Sequence, residues 1–154
     1  MTQYRGRWSE DEVDTFLAET VVPIRLATTR PDGSLWIVTL WYRHRDEVIE
    51  CATPATADVV RFLDHDAAVA FDVSTNGMPY RGIRGSGIAD VSPDPEKTVL
   101  GDLLERYLGG TESTLAESLL DEDRDEVRIR IEPRTIYSWD FADRMGDIED
   151  ERGK

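Results

Sequence analysis

Residues 24–53 read IRLATTRPDGSLWIVTLWYRHRDEVIECAT, and this stretch combines strand-like composition with a clear turn sequence. Two segments rich in β-branched and aromatic side chains, residues 24–29 and 35–42, flank the turn sequence Arg30-Pro31-Asp32-Gly33. Proline presets the backbone of a turn, and glycine supplies the positive φ that a hairpin needs. Residues 48–53 have the same strand-like composition. We therefore expect three antiparallel strands joined as a meander.

The rest of the chain alternates helices with short strands. A capping box from Ser9 to Glu12 begins a first helix, and the stretch from Thr56 or Ala57 to His65 carries one apolar stripe. The clearest helix is capped by Asp94, has Pro95 in its first turn and ends at Gly109-Gly110. A short helix is predicted over residues 114–120, and further strands over residues 67–73, 81–91, 127–131 and 135–141, with Pro133 breaking the last two apart.

This pattern predicts a mainly β (α+β) protein, with six or seven antiparallel strands in a small barrel and helices flanking it. An open antiparallel sheet with helices on one face is the alternative. The length of 154 residues favours one domain, over residues 1–142. Residues 143–154 form an acidic tail with little apolar surface to bury, so we expect it to be mobile.

Composition excludes several classes of partner. Lys and Arg total 18 against 32 Asp and Glu, which gives a net charge of −14. Such a surface repels nucleic acid and anionic lipid, and no apolar run reaches the ~20 residues of a membrane helix. The first residues contain no apolar signal core, so a cytoplasmic protein is expected. Only Lys97 and Lys154 are lysines, a composition typical of a halophilic, haloarchaeal protein in which salt screens the negative charges.

Most kinds of catalytic site find no support. The two histidines, His44 and His65, lack metal-ligand spacing, and Cys51 lies in a predicted strand as a small core residue would. Neither a nucleophile elbow nor a phosphate-binding loop of the usual spacing is present. The sequence therefore predicts no metal site and identifies no catalytic residue.

Arginines and tryptophans are the candidate ligand-binding residues. Arg25, Arg61, Arg81 and Arg84 lie within predicted strands or a helix, where a charge is costly unless it meets an anion or a carboxylate. They either bind an anionic ligand or pair with the many Asp and Glu residues. The indoles of Trp36, Trp41 and Trp139 can stack on a planar cofactor, or they can fill the core or an interface. Trp36 and Trp41 lie five residues apart in one predicted strand and should face opposite sides.

The order of these features resembles the pyridoxamine 5'-phosphate oxidase-like split barrels over about residues 20–141. In that superfamily an R-x-A-T-like strand leads through a D-G hairpin into a strand with a Trp, and a third strand ends in Thr or Ser. Those places are filled here by Arg25, Ala27, Thr28, Asp32, Gly33, Leu40, Trp41 and Thr53. The segments VVRFLDHDAAVAF (59–71), RGIRGSGIADV (81–91) and VRIRIEPRTIYSWDF (127–141) are similar to the helix and strands that follow.

The resemblance implies a homodimeric split β-barrel with a cofactor at the subunit interface. That cofactor is FMN, with the deazaflavin F420 or haem as alternatives, and the implied activity is hydride transfer to or from a small molecule. A flavin- or haem-binding module without catalysis is the alternative function.

The resemblance also implies which residues hold the cofactor. The family commonly has a basic residue at the start of the second helix to bind the cofactor phosphate, but Asp58 and Val59 stand there in this chain. We expect Arg61 to take over that role, with Arg25 and Arg84, while backbone near the ring and a tryptophan complete the site. The implied cofactor-binding residues are Arg25, Ile37, Val38, Thr39, Leu40, Trp41, Thr53, Thr56, Arg61, Arg84 and Trp139.

Overall fold

The computed structural model describes residues 1–144, which contain eight strands and four helices. The strands are β1 (Gln3–Gly6), β2 (Ile24–Thr29), β3 (Leu35–Leu40), β4 (Arg43–Arg45), β5 (Val48–Pro54), β6 (Ala68–Ser74), β7 (Arg81–Pro93) and β8 (Glu126–Asp140). The helices are α1 (Glu10–Glu19), α2 (Asp58–His65), α3 (Thr98–Leu108) and α4 (Thr114–Leu119). The predicted acidic tail lies outside the described residues from residue 145 onward.

The strands form one sheet in the order β3-β2-β6-β7-β8-β5-β4, with every neighbouring pair antiparallel. Strand β1 lies off this path and pairs in parallel with β8. The predicted fold class, mainly antiparallel β with flanking helices, is confirmed, with eight strands where six or seven were expected. The additional strands, β1 and β4, span only four and three residues, too few for a clear period-two pattern.

The predicted meander of the first three strands is wrong. Strands β2 and β3 do form a hairpin, but β5 pairs with β4 and β8 instead of β3. The reason lies in Asp46 and Glu47, whose positive φ angles of 51° and 65° close a second tight hairpin between β4 and β5. With β4 on one edge, β5 has its other edge free for β8.

Strand β8 continues through Pro133, where the sequence predicted a break. The β7–β8 register shifts at this point: Ser86 lies opposite Thr135, but Gly87 lies opposite Pro133. Arg134 is therefore the extra residue of a β-bulge, one of the few places where a sheet tolerates a proline.

Helix α3 begins later than predicted. Asp94 caps it as expected, because its carboxylate accepts hydrogen bonds from the backbone N–H groups of Thr98 and Val99 at 3.2 and 3.0 Å. The helix itself starts at Thr98, however, after Lys97 in the left-handed conformation. Pro95 therefore lies in the preceding turn and not in the first turn of the helix.

The core lies between the inner face of the sheet and helices α1 and α2. Strand β2 alternates strictly: Ile24, Leu26 and Thr28 are buried, whereas Arg25 and Ala27 are half-buried on the opposite face. Because side chains alternate along a strand, core packing on one face also decides which residues stand on the outer face.

The bulge provides a test of this fold. A Cβ atom at Gly87 would lie 2.2 Å from the carbonyl oxygen of Glu132, so Gly87→Ala should lower the free energy of unfolding by about 1–3 kcal/mol. Gly101→Ala is the matched control. No atom lies within 4 Å of a Cβ there, and Gly101 is inside α3, so we expect a gain of about 0.5–1 kcal/mol. Urea unfolding of both variants measures the difference, and an unaltered stability of Gly87→Ala would contradict the bulge.

Candidate functional site

The outer face of the sheet carries a cavity of ≈ 780 Å³. Strands β2, β3, β6, β7 and β8 and the loop after β6 contribute its lining residues. Helices α1 and α2 pack on the other side of the sheet, so the floor of this cavity is formed by the strands themselves.

Two rows of side chains, set by the strand register, cross the floor. In the first row Ala27, Ala70, Ser86 and Thr135 lie opposite one another on β2, β6, β7 and β8, and Ile37 of β3 continues the row. We call these residues the small-residue row. The second row, two residues away along each strand, is the charged row, which consists of Arg25, Asp72, Arg84 and Tyr137.

Among the residues that the structure describes, the arginines of the charged row have no acidic partner. Within residues 1–144, no carboxylate oxygen lies within 4.0 Å of the guanidinium of Arg25 or Arg84. Arg84 instead lies over aromatic rings, 4.3 Å from the ring centroid of Tyr137 and 5.5 Å from that of Trp139. These contacts hold its guanidinium in place and leave its N–H groups available for oxygen atoms of a ligand.

Asp72 stands between the two arginines in the register, yet it pairs with neither of them. Its carboxylate accepts a hydrogen bond from the hydroxyl of Ser74 at 2.6 Å. The cavity therefore offers both hydrogen-bond donors and an oriented acceptor, and the charged row carries a net positive charge on a protein whose net charge is −14.

The structure brings together only part of the predicted site. Arg25, Ile37 and Arg84 line the cavity, and Ile37 is 65% exposed. Thr39 is exposed opposite Arg25, and Trp139 supports Arg84. The side chains of Val38 and Leu40 are half-buried and pack against the core, so only their backbone can contribute to the outer face.

Two predicted residues pack elsewhere in the fold. Trp41 follows the end of β3 and stacks on Tyr107 of α3, with ring centroids 5.0 Å apart and ring planes 7° apart. Thr53 is buried in β5 opposite Val127. Trp36, which the sequence placed on the other side from Trp41, packs edge-on against Phe62 of α2 at 5.2 Å.

A separate groove beside α2, of ≈ 580 Å³, contains the other predicted residues, Thr56 and Arg61. The guanidinium of Arg61 forms an ion pair with Asp58 at 3.2 Å, and both side chains are largely exposed. Arg81, the fourth arginine of the sequence analysis, lies 5.8 Å from the ring centroid of Phe16 and faces a third groove, next to α1.

The cavity is also lined by Asp72, Ser74 and Tyr137, which are not among the residues predicted from the sequence. Alternation within the segment AVAFDVS does indicate that Asp72 stands on the face opposite to Phe71. The position of Asp72 between two arginines depends on strand register, which no local pattern reveals.

Cys51 and His44 do not line the cavity. Cys51 is fully buried, and desolvation raises its pKa to about 12, which disfavours the reactive thiolate. Burial lowers the pKa of His44, whose Nε2 lies 3.8 Å from Asp14. The part of the chain that the structure describes contains no group of three or more His, Cys, Asp or Glu arranged for a metal ion. Within the same residues, no helix is long and apolar enough to span a membrane.

Comparison with known proteins identifies similar structures but no sequence family. No protein-family model matches the chain, and neither does any curated protein. A conserved hypothetical protein from Mycobacterium tuberculosis is 27% identical, with a TM-score of 0.73 over 87% of this chain and 86% of that one. An F420 reductase is 29% identical, with a TM-score of 0.67 over 78% of this chain and 92% of that one.

A candidate pyridoxamine 5'-phosphate oxidase from Listeria innocua is 12% identical, with a TM-score of 0.62 over 82% of this chain and 94% of that one. At that identity the likeness concerns the fold alone. The chain therefore shares the fold of these solved structures, and the predicted split β-barrel fold is confirmed.

Proposed function

We propose that this protein binds a flavin-type cofactor on the outer face of its sheet and uses it as an oxidoreductase. FMN is the first candidate for the cofactor and F420 the second. The observation that carries the proposal is that Arg25 and Arg84, which have no carboxylate partner within residues 1–144, lie in one cavity with a floor of small side chains. The F420 reductase among the structural neighbours supports it.

The small-residue row fits a planar ring system. Neighbouring strands lie about 4.8 Å apart, so the four strands from β2 to β8 that carry Ala27, Ala70, Ser86 and Thr135 span roughly 14 Å. Side chains of this size leave room for a fused ring to lie flat on the sheet. Larger side chains, Ile37 at the β3 end of this row and Tyr137 in the charged row, can wall the ring.

The cofactor supplies the hydride chemistry when bound, and the chain supplies binding, orientation and exclusion of water. Arg25 and Arg84 donate hydrogen bonds to oxygen atoms of the cofactor, and charge makes these bonds stronger than neutral ones. Arg61 and Thr56 lie in the groove beside α2 and bind a phosphate only if the cofactor reaches that groove. In that case Arg61 must exchange its ion pair with Asp58 for a contact with the phosphate.

A second copy of the chain completes the site in this proposal. Strand β3 is an end strand of the sheet path, and its outer face exposes 76% of Leu35 and 65% of Ile37 beside the cavity. Apolar side chains this exposed at the rim of a shallow site favour coverage by another protein surface. A homodimer with the sheet faces together would cover these side chains and exclude water from the cavity.

The dimer is tested by charge substitution. Leu35→Lys combined with Ile37→Lys should convert a dimer into a monomer, because two buried ammonium groups without partners are costly. Leu115→Lys is the control, since Leu115 is 51% exposed on α4, away from the cavity. Light scattering of the unmodified protein and both variants gives the masses. A monomeric unmodified protein would contradict the homodimer.

Cofactor binding is tested by spectral titration with FMN and with F420. Arg84→Ala should raise the dissociation constant about tenfold to a hundredfold, from the loss of a charge-assisted hydrogen bond worth about 1.5–3 kcal/mol. Arg30→Ala removes an equal charge from the exposed β2–β3 turn and should leave the affinity within about twofold of the original.

Two results would defeat the proposal: an unmodified protein that binds neither cofactor, or an Arg84→Ala variant with full affinity. Turnover of the reduced cofactor with an acceptor then distinguishes an enzyme from a binding module. The binding module is the second candidate function, favoured by Asp58 and Val59 at the place where the family commonly has a basic residue.

A further inference from the structure

The charged row alternates in sign across three adjacent strands. Arg25 of β2 lies opposite Asp72 of β6, and Asp72 lies opposite Arg84 of β7. All three side chains line the same cavity. The row therefore presents a hydrogen-bond donor at each arginine and an acceptor at Asp72 between them.

Asp72 makes this row a poor phosphate site. A carboxylate between two guanidinium groups cancels part of their attraction for an anion. The ordinary explanation for such a carboxylate is an ion pair that neutralises the arginines, but within residues 1–144 Asp72 has no such pair, and its carboxylate accepts the Ser74 hydroxyl at 2.6 Å. One hydrogen bond leaves further acceptor positions on the carboxylate for a donor in the cavity.

We infer that Asp72 recognises the imide edge of the cofactor ring through a hydrogen bond. This inference rests on the proposed function. The pyrimidine ring of a flavin or deazaflavin presents a carbonyl, an N–H and a second carbonyl in sequence, which is the complement of the row. Asp72 accepts the ring N3–H, and Arg25 and Arg84 donate to the carbonyl oxygens on either side.

The lengths of the side chains suit this arrangement. Arg25 and Arg84 are two strands apart, about 10 Å at the backbone, and their long side chains can converge on the two carbonyls. Asp72, whose side chain is shorter, stands between them in the register and would accept the N–H. Tyr137 and Trp139 hold Arg84 by its ring contacts, which reduces the freedom it loses on binding.

Asp72 is therefore a specificity-determining residue. An ionised carboxylate only accepts hydrogen bonds, so a ring without the N–H leaves it unpaired, and such unpaired groups discriminate strongly between ligands. The site should accept any planar ring with an unblocked imide edge and reject one whose N3 is alkylated.

The experiment compares FMN with its N3-methyl derivative, whose phosphate and ring size are retained. The unmodified protein should bind the methylated flavin about tenfold or more weakly. Asp72→Ala should bind both flavins with equal affinity, below that of the unmodified protein for FMN. Asp123→Ala is the control, because it removes an equal charge from the exposed turn before β8, outside the cavity and the groove beside α2, and should retain the preference for FMN. If the protein takes F420 instead, loss of F420 affinity in Asp72→Ala, with none in Asp123→Ala, supports the inference.

Failure of this inference and failure of the proposed function give different results. Equal affinity of the unmodified protein for both flavins would overturn the assignment of Asp72 to the imide edge, and so would tighter FMN binding by Asp72→Ala. The arginines would then bind the phosphate of the cofactor, and the proposed function would stand. Undiminished F420 affinity in Asp72→Ala overturns the assignment in the same way. Failure of the unmodified protein to bind either FMN or F420 overturns the proposed function and this inference together. A melting curve of Asp72→Ala that matches the original excludes unfolding as the cause of lost affinity.

Discussion

The antiparallel register of β2, β6 and β7 is the constraint on which the candidate site depends. Leu26, Phe71 and Ile83 are buried on the inner face of these strands. A slip of one residue in any strand would turn its apolar side chains toward solvent, so core packing holds the register strongly. The same register places Arg25, Asp72 and Arg84 in one row on the outer face. The arrangement of charges on this face is thus a consequence of how the core packs.

The outer face differs from the rest of this acidic protein. Seven arginines form ion pairs with carboxylates, in keeping with a chain that has 32 acidic residues. Arg25 and Arg84 do not, within the residues described, although Asp72 is their neighbour in the register. Exposed Leu35 and Ile37 stand beside them. This face thus combines arginines that have no carboxylate partner among the described residues with exposed apolar side chains. A face that binds a ligand and a second subunit requires that combination.

Local sequence patterns predicted the helices, strands and turns. They could not predict which distant strands pair with one another, or in which register. The turn at Gly33, the cap at Ser9 and the stop at Gly109 are short-range signals, and each lies where the sequence placed it. Arg25 and Arg84 were identified because an arginine within a strand needs a partner. The partner strand of β5, the bulge at Pro133 and the place of Asp72 all depend on register between distant segments. The salt adaptation and cytoplasmic location inferred from composition stay predictions.

The proposed function depends on the guanidinium groups of Arg25 and Arg84, which have no carboxylate partner within residues 1–144. A crystal structure of the protein grown with FMN would show whether they bind the cofactor. We expect the flavin ring on the small-residue row, with its oxygen atoms within hydrogen-bond distance of Arg25 and Arg84. A flavin seated in the groove beside α2, or guanidinium groups bonded only to protein carboxylates while the sheet face stays empty, would contradict the proposal.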